Sequence, residues 1–327
     1  MMKSAIRWIT ATLEDLVRIA AMRGLLLPAA RVLPRSSGLA LADAVSWLLL
    51  ILPRPGLGAY RDTINSFGRS PMESLLLARR WLARPLRDFV MLNRILRDRE
   101  DPSAWTVREE NAVAVDRLRA TGTPFMVAVG HVSRESMVTM YLRTIAPGSL
   151  IHVGAPIPAS VASLNERRTR IHYRASLDCV TKLYGPELQF VYVSPEHPSP
   201  ALPIAKKLRK PGSTVYIHID APWSWRGAER GSFERPFAGS RLRVFSLGAA
   251  RLARLAKCPI VLCLPRIAGD GTMVLEWGEP LTVLDEASDI PVMNSLLDRL
   301  ETAVGTHPDQ YLLPFGRDRR WNATLQR

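Results

Sequence analysis

Residues 123–137 read TPFMVAVGHVSRESM. From Phe125 to Val129 every side chain is apolar, over a length that suits a strand and is too short for a buried helix. A strand covered on both faces reads this way, because neither face has to alternate with water. The run ends on Gly130-His131, and a helical spacing resumes in SMVTMYLRTI (136–145). The stretch therefore predicts an α/β sheet with helices on its faces, and it sets a histidine at the carboxyl end of a buried strand. In such sheets ligands bind beyond the carboxyl ends of the strands.

Outward from this strand the pattern repeats. LIHVGAP (150–156), LQFVYVS (188–194), STVYIHID (213–220) and CPIVLCLPRI (258–267) read as further strands. Between and after them SVASLNERRTRIHYRASL (160–177), LPIAKKLRK (202–210), VFSLGAARLARLA (244–256) and IPVMNSLLDRLETAVGTH (290–307) read as helices. SFERPFAG (232–239) is short and extended, and GTMVLEWGEPL (271–281) is a hairpin partner for the strand before it. Alternation of this kind predicts a mixed, mostly parallel sheet flanked by helices over residues 101–327.

Residues 1–100 have a different texture. Leu, Ala and Trp faces are punctuated by Arg7, Arg18, Arg23, Arg31 and Arg35 up to the break PRPG at 53–56. MESLLLARRWLARPLRDFVMLNRIL (72–96) then carries apolar positions three and four apart, with Pro85 as a kink or break. No apolar run reaches the roughly eighteen residues of a membrane span. LALADAVSWLLLILP (39–53) comes nearest, and Asp43 interrupts it. The expectation is an N-terminal helical segment that associates with a membrane surface through amphipathic helices. A cleavable signal pattern is not evident.

The 327 residues carry 44 Lys and Arg against 30 Asp and Glu, a net charge of +14, which favours anionic partners. With 7% aromatic residues and no recognisable binding motif, nucleic acid is not expected among them. Cys179, Cys258 and Cys263 form neither a disulfide framework nor a metal spacing, so packing is their expected role, and neither metal nor other cofactor is expected.

An imidazole accepts a proton near neutral pH, and a carboxylate can fix its tautomer and stabilise its charged form. If His131 opens a helix, Glu135 lies one turn on and faces it. Backbone N–H groups at the start of that helix can meet developing negative charge. A base and donors at a strand end suit attack of a hydroxyl on a carbonyl. No G-x-S-x-G elbow is present, so a direct transfer without an acyl-serine is expected.

Three stretches resemble the late acyltransferases of lipid A biosynthesis, a branch of the lysophospholipid acyltransferase superfamily. They are FMVAVGHVSRES, the long block from STVYIHIDAPWSWRGAERGSFERPFAG to CPIVLCLPRI, and THPDQYLLPFGRDRRW (306–321). The resemblance implies a glycerolipid acyltransferase-like α/β domain at the cytoplasmic face of the inner membrane, held peripherally or by a single N-terminal anchor. Its implied reaction moves an acyl chain from acyl carrier protein or a CoA thioester to a hydroxyl of a lipid or glycolipid, such as a lipid A precursor. It implies His131 as general base with Glu135 as its carboxylate. The family spacing is His-x4-[Asp/Glu], whereas here Ser136 stands at that position and Glu135 comes one place early. A substrate-positioning role is implied for Asp220, at a strand end, and anion binding for Arg241, Arg243 and Arg266. The departure in spacing also motivates an alternative, an inert relative that only binds anionic lipid or a carrier protein.

Overall fold

The protein is described here by a computed structural model. It describes residues 16–51, 68–133, 150–154, 164–185, 188–192, 201–220, 231–238, 240–268 and 272–311, with Ile64, Val138 and Tyr141. Glu135 and most of SMVTMYLRTI lie outside the described residues.

By their contacts the described residues fall into two units. The first takes the N-terminal helices up to Pro102, the body of a later helix as far as Lys182, and the segment from Pro308. The second takes Ser103–Pro156 and Leu183–His307. In the first unit a π-helical turn, Ala21–Leu26, runs into α1 (Leu27–Val32), followed by α2 (Arg35–Ile51) and α3 (Pro71–Leu96). Ser70 and Glu73 form a capping box at the start of α3, and Pro71 occupies the first turn, where its missing N–H costs nothing. Pro85 lies inside α3 without ending it. Among the described residues no helix is long and apolar enough to cross a membrane.

The second unit is α/β. Its elements run β1 (Val107–Glu110), α4 (Val113–Ala120), β2 (Phe125–Val129), β3 (Leu150–Gly154), then α5 (Leu164–Tyr184), whose body belongs to the first unit, and β4 (Leu188–Tyr192). They continue with α6 (Ala201–Leu208), β5 (Thr214–His218), β6 (Ser232–Phe237), β7 (Ser240–Ser246), α7 (Gly248–Ala256), β8 (Ile260–Ile267), β9 (Met273–Trp277) and α8 (Asp289–Thr306). The main sheet is seven-stranded, in the order β1-β9-β8-β2-β5-β3-β4. From β8 to β4 the neighbours are parallel, β9 is antiparallel to β8, and β1 is parallel to β9. The sheet is thus mixed and mostly parallel, as its apolar strands predict. All of β2 is buried, consistent with its central place.

Two parts of the chain differ from the sequence expectation. VREE at β1 gives no apolar signal, because it is an edge strand whose Glu109 and Glu110 pair with Arg119 and Arg266. The helix expected from Val244 begins only at Gly248. Residues 240–246 are instead the second strand of an antiparallel β6–β7 hairpin, in which Phe233 opposes Phe245 and Arg235 opposes Arg243.

The order of strands creates a switch point. The chain leaving β2 goes to β3, on the far side of β5, whereas the chain leaving β5 goes by way of the hairpin and α7 to β8, on the far side of β2. Loops leaving neighbouring parallel strands in opposite directions open a crevice between them, the usual ligand position in open α/β sheets. Gly130 stands at that crevice with its back to α8. A Cβ there would lie 2.8 Å from Cδ2 of Leu300 and run into Cδ1, so any larger residue would force the Leu300 side chain to shift.

Candidate active site

The parallel register of β2 and β5 pairs Val129 with His218, and two steps further it sets His131 beside Asp220. The strand end is closed by a tight turn in which the N–H of Val132 donates to the carbonyl of Gly130 at 2.7 Å, with His131 at its centre. Ser133 follows with φ 55°, and its side chain is buried. The turn holds the imidazole at the crevice.

Asp220 grips His131 twice. Its Oδ2 accepts the backbone N–H of His131 at 2.9 Å, and its Oδ1 lies 2.7 Å from Nδ1 of the ring. The carboxylate is fully buried, whereas the imidazole side chain keeps 23% of its surface exposed. Burial alone would raise the pKa of Asp220. The His131 ring, as charge and as hydrogen-bond partner, and the Arg243 guanidinium outweigh it, so the carboxyl is held below the usual carboxylate range. An ionised carboxylate at Nδ1 selects the tautomer with its proton on that nitrogen and leaves the lone pair on Nε2.

Arg243 supports the pair from behind. It is buried, donates to the backbone carbonyl of Asp220 at 2.9 Å, and lies 5.5 Å from the centroids of both Phe237 and Phe245. The sequence reading gives Arg243 to anionic ligands. The structure instead sets its guanidinium inside the hairpin, steadying the loop that carries Asp220. Arg241 lies on the same strand, and its side chain is outside the described residues. Arg266 donates to both carboxylate oxygens of Glu110, at 2.9 and 2.8 Å, and shares that carboxylate with Arg108.

Three imidazoles line this face of the sheet. The rings of His131 and His218 stack at 4.2 Å between centroids with 25° between their planes. His152 follows at 6.3 Å from His218, and Tyr216 meets His218 edge-on at 5.3 Å. Among the described residues no group of His, Cys, Asp or Glu is arranged to hold a metal ion. Burial lowers the pKa of His152 to about 4. Burial first, then repulsion from His131, holds His218 well below the usual histidine range. Burial also pushes the Cys179 and Cys258 thiols up to about 12, so neither is a thiolate near neutral pH.

A pH dependence follows from the two lowered histidines. Their folded pKa values lie below the unfolded value of about 6.5, so below that pH the unfolded chain binds more protons. Stability is therefore complete above about pH 6.5 and declines as the pH falls toward 4, by roughly 1–2 kcal/mol for His152 at pH 5, with His218 acting in the same direction. Urea unfolding at pH 7.5 and pH 5 measures this loss, and His152→Phe is expected to reduce it. An equal loss in the variant would remove His152 as a source.

A cleft of about 210 Å³ lies close by, lined by Val132, Leu264, Arg266, Glu276, Arg299 and Thr302 among others. It faces α8, as Gly130 does, whereas strand alternation puts His218 and the stacked His131 ring on the opposite face. The cleft thus neighbours the His131–Asp220 pair across the sheet rim and does not contain it.

The sequence reading has His131 at a strand end and Asp220 at another, and the structure joins them. What it lacked was the register, which brings together residues 89 positions apart. The one available signal was the alternation Tyr216, His218, Asp220 on a single strand face. Comparison with models of known protein families and with curated protein sequences finds no match to this chain.

Proposed function

We propose that the protein is an acyltransferase. It transfers a fatty acyl chain from a thioester, on acyl carrier protein or CoA, to a hydroxyl of a membrane lipid or glycolipid such as a lipid A precursor. The observation that carries the reading is the His131–Asp220 pair: a partly exposed imidazole fixed through Nδ1 by a fully buried carboxylate at the switch point of an α/β sheet.

In the proposed reaction Nε2 of His131 takes the proton of the acceptor hydroxyl as its oxygen attacks the thioester carbonyl. The tetrahedral intermediate collapses by breaking the carbon–sulfur bond, and the imidazolium returns the proton to the departing thiolate. Asp220 stays ionised throughout and balances the imidazolium charge. The proposal gives the orienting role to Asp220 rather than Glu135, because a neutral imidazole carries one Nδ1–H and Asp220 accepts it. An inert binder would have no need of a buried carboxylate committed to one imidazole.

Contact with the cytoplasmic face of the inner membrane belongs to the same proposal. Trp47, Leu48 and Ile51 are exposed at the end of α2, and Arg23, Arg31 and Arg35 are exposed earlier in the chain. Apolar side chains accompanied by arginine suit an anionic bilayer surface.

Mass spectrometry of lipids from cells with and without the gene tests the function directly. The expected result is a lipid heavier by one acyl group only where the gene is present. Identical lipid profiles in the two strains, with the protein expressed, would refute the proposal.

A further inference from the structure

We infer that His218 is a positioning residue for His131: its ring, stacked flat against the His131 imidazole, fixes the plane of that imidazole so that Nδ1 stays on Asp220. The inference rests on the His131–Asp220 pair acting as a base, and it goes beyond that reading by giving a task to a neighbour that touches no reacting atom.

Two bonds from Asp220 hold the backbone of His131 and one ring nitrogen, but a single contact to the ring still permits coupled rotation about its Cα–Cβ and Cβ–Cγ bonds, which tilts the imidazole. A third constraint is needed to define a plane. The His218 ring supplies it, at 4.2 Å and 25° from parallel. His218 is itself held on two sides. It is backed edge-on by Tyr216 of the same strand, with His152 of β3 at 6.3 Å. The groups facing the His131 ring and its partners are thus Asp220 and His218 beyond and within β5, Tyr216 beside them, His152 from β3, and Arg243 from β7.

The stack does not draw on the ring nitrogens of His218. Nε2 of His218 is buried and makes no hydrogen bond among the described residues. A buried donor or acceptor left unmade is a cost to the fold. Phenylalanine would fill similar space and stack equally well without that cost. The arrangement also places no second positive charge against the imidazolium when His131 takes a proton, because His218 remains neutral in its buried position.

The test uses the full chain labelled with ¹⁵N-histidine and needs no substrate. Ring-nitrogen NMR reports the tautomer and titration of His131 in the wild type, His218→Ala and His218→Phe. The wild type is expected to show one neutral tautomer, with the proton on Nδ1. His218→Phe keeps the stack and should keep that tautomer, with a midpoint within a few tenths of a unit. His218→Ala replaces the ring by water, which solvates the imidazolium better. Its His131 midpoint should rise by about half a unit or more, and its tautomer signal should become mixed. An alanine variant whose His131 signals match the wild type overturns the inference, as does a phenylalanine variant that shifts as far as alanine. If His218→Ala does not fold, His218→Phe decides alone: a changed tautomer or midpoint overturns the inference, and unchanged signals support it. Because nothing here depends on turnover, absence of acyl transfer in lipid extracts would strike the proposed function and leave this result standing.

Discussion

His131→Asn is expected to be as inactive as His131→Ala while folding better. In either variant no side-chain base remains to take the hydroxyl proton, and positioned general bases are worth about 10²–10⁴ in rate. The two differ at Asp220. Alanine leaves a fully buried carboxylate with only the backbone N–H of residue 131 as its hydrogen bond from this turn, whereas the amide of the substituted asparagine can donate to Oδ1 from nearly the position of the lost Nδ1. Leaving a buried charged group short of a partner costs about 1–3 kcal/mol, so the alanine variant should unfold earlier in urea by about that amount. Transfer from acyl carrier protein and from acyl-CoA to extracted lipid, followed by mass spectrometry, reads the first effect, and denaturation reads the second. Wild-type transfer by a folded His131→Asn protein would remove His131 from the reaction.

Much of the scaffold that holds this histidine is legible in the sequence. FMVAV and IVLCL are apolar on both faces, because the strands they form lie inside the sheet. What escapes is either polar or remote. β1 is written in charges because its side chains meet Arg119 and Arg266 at the sheet edge. The strand from Ser240 to Ser246 looks like the start of a helix until its partner is known, since Val244 and Phe245 suit either form, and the choice is made by pairing across the hairpin. Arg243 suffers most from this. Just before a helix it would face solvent and invite a phosphate, but on β7 it turns inward over Phe237 and Phe245. The carboxylate partner of His131 escapes for a related reason. A carboxylate nearby in sequence, such as Glu135, is visible at four residues' distance, whereas Asp220 becomes the partner of His131 only through a parallel register that no local pattern encodes.

That register makes Asp220→Asn the sharpest test of the pair. The carboxylate faces two donors, the backbone N–H of His131 at 2.9 Å and the ring nitrogen Nδ1 at 2.7 Å. Asparagine has one oxygen and one NH₂ in the same places. If its oxygen takes the backbone N–H, its NH₂ points at Nδ1, which must then accept. The ring proton moves to Nε2, and the nitrogen that should act as base becomes a donor. If its oxygen faces Nδ1 instead, the NH₂ abuts the backbone N–H, and two buried donors oppose each other. Neither arrangement restores the negative charge that balances the imidazolium. Transfer should fall by about 10²–10⁴, comparable to loss of the base itself. The chain should remain folded, with stability reduced by roughly 1–3 kcal/mol. The ¹⁵N signals of His131 discriminate the cause: a proton found on Nε2 in Asp220→Asn identifies the wrong tautomer as the defect. A variant that keeps the proton on Nδ1 and transfers acyl groups within about twofold of the wild-type rate would show that Asp220 does not orient the base.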